Sequence, residues 1–295
     1  MPADAESEPK SDEEVRLREK VVYWSNKKWC GEILNRFMQK YGNPKAVAAT
    51  EIEFARTLQS KYLILFLETF VKALLRRKTH FVANKYTYFA SQFVYHAIKH
   101  EEIFNRLNPL LEELLMDVYF PMVFLTQKDI QIWKSDPVEY IRKQEDQSNT
   151  HTDIKREGLD CIAHICKKLA PDGKRYLFKF MEFIAYILAN GVNPRTNAKT
   201  DLVWKQAILQ CINILEGQIS KIDLIQSQME TLLEQYVIPE FKNEIGFLRA
   251  AACQLFGVYG QVEFKKPENV QAATEGIYKC LLDSELPVRV YVRSW

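Results

Sequence analysis

The segment over residues 237–260, VIPEFKNEIGFLRAAACQLFGVYG, constrains the fold of this chain more than any other. Pro239 ends one apolar helix, and a polar elbow at residues 242–244 turns the chain. From residue 247 to residue 259 apolar side chains return at intervals of three and four, while three alanines let a neighbouring helix approach closely. Such an antiparallel helix pair is stable only when it stacks on others, so the segment predicts a helical solenoid.

The composition favours the same fold class. The 295 residues include only 10 glycines and 11 prolines, and helix-forming residues dominate, so we predict an all-α protein. The 40 basic side chains nearly balance the 38 acidic ones, and the formal charge of +2 provides no general attraction to nucleic acid. The basic clusters are short and lie near predicted helix ends, so we expect no direct binding of nucleic acid.

The helix-pair pattern recurs along the chain. First helices are predicted to begin near Arg106, Lys174, Ile222 and Glu268, and their partners near Asp153, Asp201, Ile245 and Pro287. The last two intervals between first helices match the period of roughly 40 to 47 residues that HEAT repeats show. The first interval is longer, and its excess is an insertion at residues 126–152.

The chain divides into two predicted parts. Residues 1–18 have no apolar periodicity and are predicted to be a disordered acidic lead-in. Residues 19–295 are predicted to form an α-α superhelix, a HEAT-repeat solenoid of about five antiparallel helix pairs with a truncated last repeat. The acidic start is unlike a targeting presequence, and the longest apolar run, residues 62–75, is interrupted by charges and too short to cross a bilayer. We therefore expect a soluble intracellular protein without membrane insertion.

The insertion, TQKDIQIWKSDPVEYIRKQEDQSNTHT, differs in character from the scaffold. Asp136 is predicted to cap a short helix whose first residue is Pro137, and residues 144–152 are predicted to be a flexible polar tail. Insertions in solenoids often supply binding loops, but a solvated loop without a partner fits the same residues. The sequence leaves these two readings open.

No familiar catalytic motif occurs in the chain. GxxxxGK[ST], GxGxxG, HExxH and GxSxG are all missing, so we expect neither enzymatic activity nor a cofactor, although an active site built from scattered residues stays a remote alternative. The six cysteines have no CxxC spacing and are predicted to be reduced and buried. Cys161, His164 and Cys166 come closest to a metal cluster, but residue 166 points away from the other two. We therefore predict that the cysteines pack in the core, that the histidine lies at a polar edge, and that the three bind no metal.

Aromatic side chains recur at helical spacing in residues 86–95 and 178–186. Packing between helices is the default explanation. A few of these rings could also form the floor of grooves between adjacent outer helices, and a short apolar peptide could dock in such a groove.

Four segments of the sequence resemble segments of a known protein family. They are WSNKKW at residues 24–29 with the following ILNRFMQKYGNP, DPVEYIR at residues 136–142, the repeat at residues 229–264, and CLLDSELPVRV at residues 280–290. In their order and spacing the chain resembles the central part of karyopherins of the importin-β superfamily, of the importin-7/importin-8 type. Residues 145–200 match the family poorly. Family members are several times longer, and the chain stops inside an expected inner helix, so we expect a fragment, a truncated gene model or a degenerate paralogue.

The resemblance implies a nuclear transport receptor segment that moves between cytoplasm and nucleus through the nuclear pore. Its implied partners are basic protein cargo such as ribosomal proteins and histones, the phenylalanine-glycine repeats of nucleoporins and, in full-length members, the Ran GTPase. Acidic residues in and after the insertion are the candidate cargo contacts: Asp136, Glu139, Glu145, Asp146 and Asp153. A HEAT scaffold outside transport, such as a phosphatase or condensin-type adaptor, is the alternative that periodicity and composition also allow.

Overall fold

The structure is a computed structural model that describes residues 12–145, 153–167, 175–260 and 264–293. The α-helices are α1 Asp12–Glu19, α2 Val22–Tyr41, α3 Ile52–Thr57, α4 Leu63–Arg76, α5 Asn84–Ala97, α6 Glu101–Glu113, α7 Phe120–Met122, α8 Gln127–Ser135, α9 Pro137–Glu145, α10 Ile154–Lys167, α11 Arg175–Asn190, α12 Leu202–Ile214, α13 Glu216–Ile219, α14 Asp223–Leu232, α15 Gly246–Tyr259, α16 Pro267–Leu281 and α17 Leu286–Arg293. Within the described ranges no β-strand occurs, and Val192 and Lys199 form an isolated bridge. The prediction of an all-α fold is confirmed.

Several helices continue through irregular turns. The π-helical segments Leu58–Tyr62, Leu114–Tyr119 and Leu233–Val237 extend α3, α6 and α14, and a 3₁₀ segment, Ile238–Lys242, follows the last of them. A π-helical turn inserts one extra residue and shifts the face that the following residues present. Through its π segment, α3 thus continues into α4 as one helical stretch that ends at Arg76.

The chain forms two compact units, the first made of Met1–Met122 and Thr150–His164 and the second of Val123–Asn149 and Ile165–Trp295. The predicted single array of helix pairs over residues 19–295 stays a prediction. One boundary differs from expectation, because α1 occupies Asp12–Glu19 where a disordered lead-in to residue 18 was predicted. Residues 1–11 lie outside the described residues.

In the first unit, α5 packs against both α2 and α4. Trp24, Phe70 and Phe93 are almost completely buried, and the rings of Phe70 and Phe93 lie 4.8 Å apart. Gly31 permits the approach of α2 to α5, since a Cβ there would lie 3.2 Å from the Cβ of Phe89. Large rings packed in this way remove much apolar area from water, which stabilises this unit.

In the second unit, successive repeats stack helix on helix. α15 lies between α12 and α17, while α16 packs against the 3₁₀ segment Ile238–Lys242. First helices therefore contact first helices, and second helices contact second helices, as in HEAT repeats. α14, α15, α16 and α17 begin at Asp223, Gly246, Pro267 and Leu286, next to their predicted starts.

In α12 and α15, a cation at the fourth position of the helix ties one repeat to the next. Lys205 of α12 binds Glu240 at 2.5 Å, and Arg249 of α15 binds Asp283 at 2.6 Å. The Arg249 guanidinium also donates to the backbone oxygen of Asn243 in its own elbow at 2.8 Å. These pairs fix the elbows, because each carboxylate is largely buried and needs its cation.

The insertion contains two helices, α8 and α9, of which the second was predicted. Thr126 and Asp129 build a capping box at the start of α8, and Asp136 accepts from the backbone N–H of Glu139 at 3.0 Å. The predicted cap at Asp136 and the helix start at Pro137 are thus confirmed. We call α8 and α9 the insertion hairpin; residues 146–152, the rest of the predicted flexible tail, lie outside the described residues.

Five of the cysteines, all except Cys30, are buried as predicted. Cys30 is exposed on α2, so the expectation of buried thiols is wrong at this position. Its neighbour Gly31 faces α5, and a helix that buries residue 31 turns residue 30 towards solvent. Across the described helices, none is both long and apolar enough to cross a membrane.

Candidate functional site

A groove lies between α11 and α14, two first helices of the second unit, and most of its lining is apolar. Its volume is about 580 Å³. This is within the range of pockets that hold small ligands or peptide side chains. We call it the outer groove.

The α11 wall of the outer groove arises because α11 is apolar on two faces. One face, with Leu177, Phe180 and Ile184, is fully buried. The second face lines the groove with side chains spaced three and four residues apart, namely Phe178, Met181, Ala185 and Leu188. Phe178 is 36% exposed, so its ring is available to a partner.

The α14 wall mixes apolar and amide side chains. Leu224, at 63% exposed, and Leu232 offer apolar surface, while Met229 is buried in the floor. Gln228 and Gln235 also line this wall and can hydrogen-bond to a peptide backbone. The π-helical segment Leu233–Val237 continues this wall and sets the direction of its last residues.

The outer groove is nearly neutral. Among the described lining residues, Glu182 alone carries a charge. An uncharged apolar cleft with amide groups at its rim suits an apolar or aromatic side chain within a short extended peptide.

Two smaller cavities lie in the first unit, with volumes of about 270 and 220 Å³. Lys27 and Tyr86 line both of them. The Lys27 ammonium lies 4.2 Å from the ring centre of Tyr23 and 4.8 Å from that of Trp24, in a cation–π arrangement. Because an ammonium group stands in their wall, these cavities suit an apolar side chain less well than the outer groove does.

The structure gives a local role to three of the acidic cargo candidates. Asp136 is exposed and caps α9, and Glu139 pairs with Arg142 at 2.7 Å. Asp153 caps α10 through the backbone N–H of Lys155, at 2.9 Å, and belongs to the other unit. Glu145 ends α9, and Asp146 lies outside the described residues. Their role in cargo binding stays a prediction.

The two cysteines of the supposed metal cluster pack in the interior, as the sequence predicts, and His164 is half-buried. Cys161 donates from its thiol to Glu157 at 3.3 Å, and Cys166 is buried. The rings of His164 and Tyr95 contact each other at a tilt of 41°, with their centres 4.2 Å apart. No group of three or more potential metal ligands occurs in the part of the chain that the structure describes.

Sequence reasoning found one wall of the outer groove and missed the other. It named the aromatic side chains within residues 178–186, of which Phe178 lines the groove while Phe180 and Phe183 are buried. It did not name Leu224 or Gln228. One sequence signal for this wall was available. Leu224, in the first turn of α14, is apolar at a position where an amphipathic pattern does not require an apolar residue, and the structure shows that it is exposed.

Comparison with known proteins shows which family the chain is similar to. The family model for Cse1 matches residues 50–235. The Importin beta-like SAD2 homolog of Arabidopsis thaliana is 28% identical over 98% of this chain and 28% of its own length. Importin-8 of Homo sapiens and the probable importin-7 homolog of Dictyostelium discoideum are each 27% identical over 92% of this chain and 26% of their own length.

The chain thus spans about a quarter of the length of the curated relatives it matches. No solved structure matches it. The family model covers more than half of the chain. The chain therefore belongs to the Cse1 family of importin-β-like karyopherins.

Proposed function

We propose that this chain is a segment of a nuclear transport receptor and that its outer groove binds the phenylalanine-glycine repeats of nucleoporins. The observation that carries the proposal is the neutral apolar groove between two adjacent first helices, with exposed Phe178 and Leu224 on opposite walls. Relatives that cover most of this chain are named importins, which supports the same function.

The chemistry of the outer groove fits such a repeat. A phenylalanine side chain gains free energy when it leaves water for an apolar cleft, and the adjacent glycine lets the peptide backbone approach the rim closely. The rim amides of Gln228 and Gln235 can hydrogen-bond to that backbone. Neutral walls do not require a charged peptide.

The wider role follows from the family. The receptor would move between cytoplasm and nucleus through the nuclear pore, with basic proteins such as ribosomal proteins and histones as cargo and the Ran GTPase as its regulator. The stacked second helices form a continuous surface in the second unit, and repeat proteins use such surfaces to bind large partners. No reaction and no cofactor enter this proposal.

The test is binding of the purified chain to an immobilised phenylalanine-glycine peptide, with a serine-glycine peptide as ligand control. The double variant Phe178→Ser, Leu224→Ser should bind about tenfold more weakly, because it removes apolar contact area from both walls. The matched control Tyr278→Ser, Leu282→Ser removes an aromatic and a leucine that are 64% and 70% exposed outside the groove.

The control variant should bind like the unmodified chain. If both double variants keep phenylalanine-dependent binding to the same extent, the binding site lies outside the outer groove. Absence of phenylalanine-dependent binding to the unmodified chain would contradict nucleoporin docking by this segment.

A further inference from the structure

The insertion hairpin is attached to the second unit through two aromatic side chains. Trp133 of α8 is 5% exposed and Tyr140 of α9 is 7% exposed, and their rings meet edge to face at 4.8 Å. No other side chain of the hairpin is buried among those that the structure describes. These two rings are therefore its anchors.

Trp133 lies in a pocket that the repeats themselves build. Its indole ring meets Phe247 of α15 edge to face, with ring centres 6.4 Å apart, and its N–H donates to the Glu285 carboxylate. Gly246 makes room for that carboxylate, since a Cβ at residue 246 would lie 2.3 Å from Glu285 Oε2. We call Gly246, Phe247 and Glu285 the indole site.

The indole site does not depend on the hairpin for its shape. Glu285 is oriented by Arg249, whose Nη2 donates to Oε1 at 2.9 Å, and Arg249 is in turn held by Asp283. All of these residues belong to α15 or to the elbow before α17. An aromatic wall and an oriented carboxylate would therefore remain in place if Trp133 left.

The hairpin, in contrast, depends on docking. α8 and α9 have nine residues each, and helices shorter than about 12 to 15 residues are marginal in water on their own. α9 contacts α17, and burial together with the nearby Tyr291 hydroxyl raises the pKa of Tyr140. Loss of the two anchor contacts would thus free the hairpin as a whole.

We propose that the indole site is a protein-interaction site that Trp133 closes in cis, and that its partner is a segment of another protein that carries a tryptophan. Tryptophan fits because it combines a large ring for Phe247 with an N–H donor for Glu285. Phenylalanine has no donor and would leave the carboxylate without this hydrogen bond. A tethered segment acts at a high effective concentration, so the partner must compete with the hairpin.

This site is separate from the outer groove. It lies on α15 and the elbow before α17, whereas the outer groove lies between α11 and α14. The inference does not rest on nucleoporin binding, and either proposal can fail without the other.

The test uses the full chain with Trp133→Ala and Tyr140→Ala, which removes both anchors. The probe is a fluorescein-labelled synthetic peptide of residues 126–145, measured by fluorescence anisotropy. We expect the double variant to bind the peptide at least tenfold more tightly than the unmodified chain, in which the site is occupied. The same peptide with Trp133→Phe should bind the double variant about tenfold more weakly, because it keeps a ring and loses the N–H.

Circular dichroism must show that the double variant keeps its helical content. A folded double variant that does not bind the peptide would overturn the proposal, and so would equal affinity of the unmodified chain and the double variant.

A second measurement tests the proposal if the double variant does not fold. Excess unlabelled peptide is added to the unmodified chain, and amide hydrogen exchange is followed in α8, α9 and α15. Faster exchange in α8 and α9 with unchanged exchange in α15 is the expected result of displacement. Unchanged exchange in the hairpin at saturating peptide would contradict the proposal.

Discussion

Arg249 and Asp283 form a two-point pair between consecutive repeats, with Nε to Oδ2 at 2.6 Å and Nη2 to Oδ1 at 2.8 Å. The side chains are only 12% and 8% exposed. Arg249 stands in the fourth position of a second helix and Asp283 in the elbow of the following pair. The pair therefore sets the register in which one repeat stacks on the next.

Replacement of Arg249 by methionine should destabilise the second unit by about 3 to 5 kcal/mol, because it leaves the buried Asp283 carboxylate without its cation. The measurement is equilibrium unfolding in urea. Arg142→Met is the matched control, since Arg142 pairs with Glu139 on an exposed surface and its loss should cost at most about 1 kcal/mol. Equal losses of unfolding free energy in the two variants would show that the Arg249–Asp283 pair stabilises the fold no more than an exposed ion pair does.

Glu157 should make the stability of the first unit depend on pH. The carboxyl is 2% exposed, accepts from Gln92 and Cys161, and burial raises its pKa from 4.5 to about 7. Because the folded pKa lies above the unfolded one, the folded state holds the extra proton between these values. Stability from this group is therefore greatest below pH 4.5 and falls as pH rises to about 7, by roughly 3 kcal/mol in total.

Glu157→Gln removes the titration and should be more stable than the unmodified chain above pH 7, with a smaller difference near pH 5. Melting temperatures across pH 4.5 to 8 measure this. Glu53→Gln, at an exposed position of α3, is the control and should leave the pH profile unchanged. A profile that Glu157→Gln leaves unaltered would show that this carboxyl does not control it.

Gly276 is required by the close approach of α16 to the preceding elbow. A Cβ at residue 276 would lie 2.6 Å from ring atoms of Phe241, so Gly276→Ala should destabilise the fold by about 1 to 3 kcal/mol. Gly217, in the helix Glu216–Ile219, has no atom within 4 Å of its Cβ position. Gly217→Ala should therefore stabilise by up to about 1 kcal/mol. Opposite signs in urea unfolding are expected, and destabilisation by both would contradict the steric explanation.

Asp136 has two possible roles, which two substitutions separate. Asp136→Asn keeps a cap for α9 and removes the charge, whereas Asp136→Ala removes both and should cost about 1 kcal/mol of stability. If Asp136 binds basic cargo, the asparagine variant should bind a lysine-rich peptide more weakly at low salt and should be as stable as the unmodified chain. Unchanged binding by Asp136→Asn would leave this residue a helix cap alone.

The helices could be predicted because their signals are local. The apolar spacing after residue 247, the elbow after Pro239 and the Asp136–Pro137 start each lie within one or two turns of the element they determine. The prediction missed α8, since this helix has only nine residues and Trp133 is its one buried residue.

The candidate sites were less predictable. The aromatic residues of α11 indicated a groove, but the side that Leu224 and Gln228 supply depends on how α14 is rotated against α11. Burial of Glu157, likewise, follows from the packing of α10 in the first unit and not from its polar sequence neighbours. Such contacts depend on the rotation and distance of neighbouring helices, which hydrophobic spacing does not specify.

The sequence by itself determined that this protein is a set of stacked helix pairs and where most of those helices begin. Helix periodicity and helix caps depend only on residues that are close together in the sequence. Only the tertiary structure decided that Trp133 donates to Glu285, 152 residues away, and that Arg249 orients the same carboxylate. The physical reason is that a hydrogen bond between distant residues exists only when packing of several helices brings its donor and acceptor together.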